Sequence, residues 1–235
     1  MPQNTPLLIG SLMFDGMDQI DLTGPFEVLY RIRNSTYRSN AKTASPVRDL
    51  HGLRLIPDAT LGEAPPLDVL HVPGGSGQEA LMEDQEVIAW IREQAAAALY
   101  IFSVCTGALL CGAAGLLEGR RATTHWSCLQ LLRCFGAIPV NDRVVMDANY
   151  VFAAGVTAGI DGALRLAAKL RGDEIAQAIQ LDMAYAPEPP FNSGTPESAP
   201  PAIFEQAKRS YRKVTAQREA TARRIAARLG ISGLI

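Results

Sequence analysis

The stretch Leu99-Tyr100-Ile101-Phe102-Ser103-Val104-Cys105-Thr106-Gly107-Ala108 decides the fold. Its first six residues form an uncharged run rich in aromatic and β-branched side chains, the composition of a strand buried on both faces. From Thr106 to Leu116 the chain turns instead to Ala, Leu and Gly in a helical pattern. A strand that breaks sharply into a helix holds the residue at the break up at the rim of a sheet, where the helix N-terminus favours negative charge. Cys105 occupies that break. A thiol so placed is expected to ionise at low pH and to act as a nucleophile.

Working outward, apolar runs at residues 7–14, 69–72, 100–104 and 150–153 read as strands, and residues 25–33, 86–98, 106–116 and 158–170 read as helices. The alternation predicts one α/β domain over residues 1–235, with a mostly parallel sheet covered by helices on both faces. In such folds ligands gather beyond the carboxyl ends of the strands. Three features fall there: Cys105, the run Pro73-Gly74-Gly75-Ser76-Gly77, and Asp21 in the loop after the first strand. Residues 187–201 carry six prolines and are expected to be an extended loop. A helical pattern resumes over residues 203–229. Its segment 203–228 holds eight Lys or Arg against two Glu, which reads as a solvated face on a helix packed against the body or a partner subunit.

Composition narrows the function classes. A formal charge of −2 on 235 residues, 48% of them hydrophobic, gives a sizeable core and no electrostatic footprint for non-specific nucleic-acid binding. No second helix follows the basic one to complete a helix-turn-helix, so no nucleic acid is expected as a partner. Residues 95–117 are uncharged over 23 positions, but Ser103, Thr106, Gly107 and Gly112 punctuate them, and a buried strand followed by a buried helix explains the run better than a membrane span. The first five residues lack the basic region of a secretory signal, which predicts a cytoplasmic protein. Cys105, Cys111, Cys128 and Cys134 are spaced neither as CxxC pairs nor with His at zinc-ligand intervals, so no metal site is expected.

Cys105, Asp21 and the glycine loop predict a compact site in which a thiol, a carboxylate and backbone N–H groups converge. The thiolate supplies the nucleophile, the carboxylate moves a proton, and the amides of Gly74 and Gly75 are open to a reacting atom because no Cβ blocks them. Two acids in contact resist ionising together, so the pair is expected to share one proton. Thr106 either hydrogen-bonds the carboxylate or the adduct, or caps the following helix. The glycine run fails as a phosphate loop, having neither GxGxxG nor a following Lys with Ser or Thr.

Asp21-Leu22-Thr23-Gly24-Pro25, Pro73-Gly74-Gly75, Ser103-Val104-Cys105-Thr106-Gly107 and Ala122-Thr123-Thr124-His125-Trp126, in this order, resemble the ThiJ/PfpI superfamily of flavodoxin-like glutamine-amidotransferase relatives. Residues 156–161 and 185–192 are most similar to its isocyanide-hydrating members. The resemblance implies a flavodoxin-like three-layer sandwich and a homodimer. It implies hydration of an isocyanide to an N-substituted formamide through a thioimidate on Cys105, with Asp21 as acid and base and with no metal or organic cofactor. It also implies that Val156 lies near the nucleophile's helix. A peptidase of the superfamily would carry His after the nucleophile, where Thr106 stands; His125 is a candidate base further along, or a structural residue. AraC-type regulators share the Cys105 and Thr124-His125-Trp126 regions, which leaves a ligand-sensing domain as the rival expectation. The fifty residues after Tyr185 are too few for two helix-turn-helix units.

Overall fold

The computed structural model describes residues 5–231; the signal-sequence reading rests on residues 1–5, nearly all of them outside that range. Seven strands form the central sheet: β1 (Leu7–Leu12), β2 (Ser35–Ala41), β3 (Ala59–Thr60), β4 (Val69–Val72), β5 (Tyr100–Val104), β6 (Val144–Asp147) and β7 (Tyr150–Ala153). Their order is β6-β7-β5-β4-β1-β2-β3, parallel throughout except for the β6–β7 hairpin. The longer helices are α1 (Gln19–Leu29), α2 (Gln85–Ala97), α3 (Gly107–Ala113), α4 (Ala158–Arg171), α5 (Asp173–Asp182) and α6 (Pro201–Leu229), with a one-turn helix at Gln78–Leu81 and 3-10 segments at Leu61–Glu63 and Trp126–Phe135.

Alternate residues of the central strands feed two cores. Leu12 and Leu70 pack on one face with Ile91 of α2, Leu110 of α3 and Ile225 of α6. On the other face Ile9, Val69 and Phe102 meet Val28 of α1, Leu166 of α4 and Ile179 of α5. The architecture is the flavodoxin-like three-layer sandwich. Strand order reverses between β1 and β4, and the loops leaving β1, β4 and β5 converge at their carboxyl ends, the place where such sheets bind ligands.

Several boundaries differ from the sequence reading, and two of them bear on the site. The first helix begins at Gln19 rather than Pro25, because the Asp18 side chain accepts a hydrogen bond from the Ile20 N–H and caps it. Asp21 therefore lies in the first helical turn, not in a loop. Pro25 sits inside α1 and has no N–H to offer the Asp21 carbonyl four residues back. The last helix starts two residues early, with Pro201 at its first position, where a missing N–H costs nothing. Among the described residues no helix is long and apolar enough to cross a membrane; residues 95–117 are divided among α2, β5 and α3.

Candidate active site

Cys105 lies with Thr106 between β5 and α3 and has φ +55°, a left-handed conformation that residues other than Gly, Asn and Asp seldom adopt. Two hydrogen bonds hold it there. Its N–H donates to the Ala153 carbonyl at the end of β7 (2.9 Å), and the Thr124 hydroxyl donates to its carbonyl oxygen (2.6 Å). The second bond gives the Thr123-Thr124-His125-Trp126 motif a physical role: it pins the strained turn from the side.

Asp21 is fully buried. One carboxyl oxygen, Oδ2, accepts from the Gly74 N–H at 3.0 Å; the other, Oδ1, has no partner of ordinary hydrogen-bond geometry. Burial, and then the nearby Asp18 carboxylate, push the Asp21 carboxyl up to about 8, while the Gly74 N–H and the Cys105 thiol draw it partly back. Cys105 is moved in the same direction. Burial first and the Asp21 charge second push its thiol well above the ordinary value, with the Thr106 N–H and the Arg218 guanidinium opposing them. The expectation of a readily ionised thiol is thus corrected: the site is dry, and α3 has only seven residues with which to stabilise a charge. Both groups hold their protons to higher pH than usual, and each resists the ionisation of the other.

The glycine amides are engaged rather than open. Gly74 gives its N–H to Asp21, and Gly75 gives its own to the Thr106 hydroxyl (3.1 Å), which in turn donates to the Gly75 carbonyl (3.3 Å). Thr106 therefore ties the two loops together; it makes no side-chain capping bond to α3. A Cβ on Gly74 would lie 2.5 Å from the Thr106 nitrogen and 3.0 Å from Asp21 Oδ2, so only glycine lets carboxyl, loop and the Cys105 turn meet.

Beneath Asp21, Ser11 Oγ lies 2.6 Å from Nδ1 of the buried His71 and also bonds the Tyr37 hydroxyl. Burial pushes His71 down to about 3, opposed in part by the nearby Asp21 backbone carbonyl, although His71 Nε2 has no partner of ordinary hydrogen-bond geometry. His125 is also neutral. Its Nδ1 meets Ser127 Oγ at 2.8 Å at the head of the 3-10 segment, and burial, followed by the charge of Arg218, lowers it to about 4. This geometry matches a structural residue.

A cavity of about 210 Å³ opens over Cys105, its wall largely apolar with Leu50, Val156, Val214 and the Tyr211 ring. Val156, in the loop before α4, faces this cavity and a neighbouring one of about 310 Å³ under Gly194 and Pro196 of the Pro-rich segment. Tyr211, Val214 and Arg218 come from α6, which packs against the body as one of the two expected arrangements, but its basic residues are not all on the solvated face the sequence suggests. Part of that face is instead docked: Arg224 and Arg228 pair with Glu83, and the Thr221 hydroxyl donates to Glu79 at 2.5 Å. The overlooked signal was periodic. Arg218, Thr221, Ala222, Ile225 and Ala226 repeat at helical spacing as the buried stripe of α6, and its first member is charged.

The sequence matches the model of the DJ-1/PfpI family over residues 9–169. The chain belongs to the DJ-1/PfpI family. Among its DJ-1/PfpI relatives, the isonitrile hydratase of Pseudomonas putida is 48% identical over 225 residues, covering 96% of this chain and 99% of the relative. The crystal structure of a ThiJ/PfpI family protein from Pseudomonas syringae superimposes with a TM-score of 0.92 at 40% identity, covering 94% and 92% of the two chains. The HTH-type transcriptional regulator GbdR of Pseudomonas aeruginosa is 31% identical over 194 residues, 78% of this chain and 52% of the regulator. Drosophila melanogaster DJ-1beta shares the fold, with a TM-score of 0.69 at 20% identity over 78% of this chain.

Proposed function

We propose that this protein hydrates isocyanides to N-substituted formamides through a covalent thioimidate on Cys105. The observation that carries the reading is the buried Cys105–Asp21 pair, two acids that act on each other's ionisation beneath an apolar cavity, in a chain 48% identical to an isonitrile hydratase over nearly its full length.

The reactive form has one proton on the carboxyl and the charge on sulfur. Cys105 thiolate attacks the terminal carbon of R–NC, and the Asp21 carboxylic acid gives that carbon its proton, leaving R–N=CH–S–Cys105 and an Asp21 carboxylate. The carboxylate then takes a proton from water as the oxygen adds to the carbon, and passes it to the nitrogen. The tetrahedral adduct R–NH–CH(OH)–S–Cys105 collapses. Its C–S bond breaks, the hydroxyl proton goes to Asp21, and the formamide leaves with thiolate and carboxylic acid restored. One molecule of water is consumed, and the site carries one net negative charge at every stage.

The apolar lining supports an alkyl or aryl R group. Incubation with a small panel of such isocyanides should bleach the infrared N≡C stretch and yield the formamide, and Cys105→Ala should do neither. Mass spectrometry of the acid-quenched reaction should find one isocyanide mass on Cys105. The likeness to GbdR favours a second reading, a ligand-sensing domain. A wild-type chain that binds isocyanides and forms no formamide would decide for it. The homodimer and the cytoplasmic setting belong to the same proposal. A protein that scatters light as a monomer at micromolar concentration would remove the dimer.

A further inference from the structure

Arg218 is buried within α6, and none of its hydrogen-bond partners is a carboxylate. Its Nη2 donates to the Gly75 carbonyl (2.8 Å), its Nε to Gln78 Oε1 (3.1 Å) and its Nη1 to Cys128 Sγ (3.5 Å). Among the described residues no carboxylate comes within ion-pair distance of it, whereas Arg223, Arg224 and Arg228 on the same helix all hold a glutamate. A guanidinium taken out of water without a counter-ion is strongly unfavourable, and proteins keep such a charge where an anion is to be met. The anion is close at hand, since Arg218 and Cys105 line the same cavity and the carbonyl that Arg218 grips belongs to the loop that holds Asp21 and Thr106.

We propose that Arg218 is the counter-cation of the active site: it lowers the cost of taking one proton off the Cys105–Asp21 pair and so favours the singly charged form that the reaction uses. It is a positioning residue. The inference rests on the hydration reading for its purpose, because that reaction carries one negative charge from start to finish, but the electrostatic claim stands on the geometry alone.

Apart from the Thr106 N–H, which also favours the thiolate, the other groups facing the pair work against a charge on sulfur or leave it unaided. Asp21 and Asp18 at the start of α1 are acidic; Tyr211 on α6 is a phenol held protonated by burial; His125 is an uncharged imidazole. Glu79, on the turn that carries Gln78, is taken up by Thr221. Arg218 is therefore the cation in this shell.

The test reads the thiol directly, by the rate at which iodoacetamide alkylates Cys105, followed by peptide mass spectrometry across pH 5 to 10 in the intact protein. Removing an opposite charge next to an ionising group is worth roughly one pH unit or more, so Arg218→Met should slow alkylation at pH 7 roughly tenfold and move the whole profile to higher pH. Arg218→Lys keeps the charge without the planar fork and should restore most of the rate. Should Arg218 variants fail to fold, Gln78→Glu carries the test: it keeps the arginine and its packing, replaces an amide whose Nε2 has no partner, and gives the guanidinium a carboxylate. The profile should move in the same direction as in Arg218→Met. Profiles of Arg218→Met and Gln78→Glu that overlay the wild type would overturn the proposal, as would Arg218→Lys behaving like Arg218→Met while Gln78→Glu changes nothing. Formamide production is scored separately, so a wild type that hydrates nothing yet shows these shifts would sink the hydration reading and leave Arg218's role standing.

Discussion

The Asp21 carboxyl, normally ionised above 3.8, keeps its proton up to about 8 in the native protein. Between those pH values the unfolded chain releases a proton that the folded chain retains, so stability falls as pH rises, at close to 1.4 kcal/mol per pH unit for a fully coupled group. Asp21→Asn removes the ionisation. It should be catalytically silent yet sturdier, by a few kcal/mol in urea at pH 8, with the advantage shrinking towards pH 4. An advantage of equal size at both pH values would mean that the carboxyl is not held neutral. Gly74→Ala tests the neighbouring contact. Its Cβ would push against the Thr106 backbone, and a displacement of the reacting groups of order 1 Å costs roughly a hundredfold in rate, so kcat should drop by about that factor with the melting temperature only modestly lowered.

At the scale of elements, β1, β4, β5 and β7 were legible because strands covered on both faces are nearly unbroken apolar runs. The strand β2, Ser-Thr-Tyr-Arg-Ser-Asn-Ala, was not: five of its seven residues are at least partly exposed, and its pairing with β1 is set by the sheet rather than by its own composition. The two-residue β3 and the half-buried β6 were hidden for the same reason. Cys105 could be found because a strand-to-helix break is a local signal, and Asp21 through its motif. Arg218 could not be, since its meaning depends on which side of α6 is buried, and the run of eight basic residues masks that side. The Ser11–His71–Tyr37 cluster links three neighbouring strands and makes its own prediction. His71 is held neutral down to about 3, whereas in the unfolded chain it gains a proton near 6.5. Native stability should therefore decline as pH drops through 6.5 towards 3, again by about 1.4 kcal/mol per unit. In His71→Leu the decline between pH 7 and pH 4 should be shallower, as measured by urea unfolding; an unchanged slope would place the acid sensitivity elsewhere.

Across the whole molecule the four thiols are all buried, but Cys105, at 7% exposure, borders a cavity beside a guanidinium, whereas Cys111 and Cys128 are closed off and Cys134 is 5% exposed. Dilute peroxide should oxidise Cys105 before the other three, and peptide mapping that finds Cys134 modified first would contradict the electrostatics described for the site. The match to the family model ends at residue 169, so Cys105 and Asp21 belong to the shared core and Arg218 to an appendage laid over it. Cores of this kind can then be retuned without touching a single reacting atom. Exchange the outer arm for one that brings a neutral or acidic side chain, and the same sulfur and carboxyl hold their protons more tightly still, a pair better suited to binding a ligand than to turning one over.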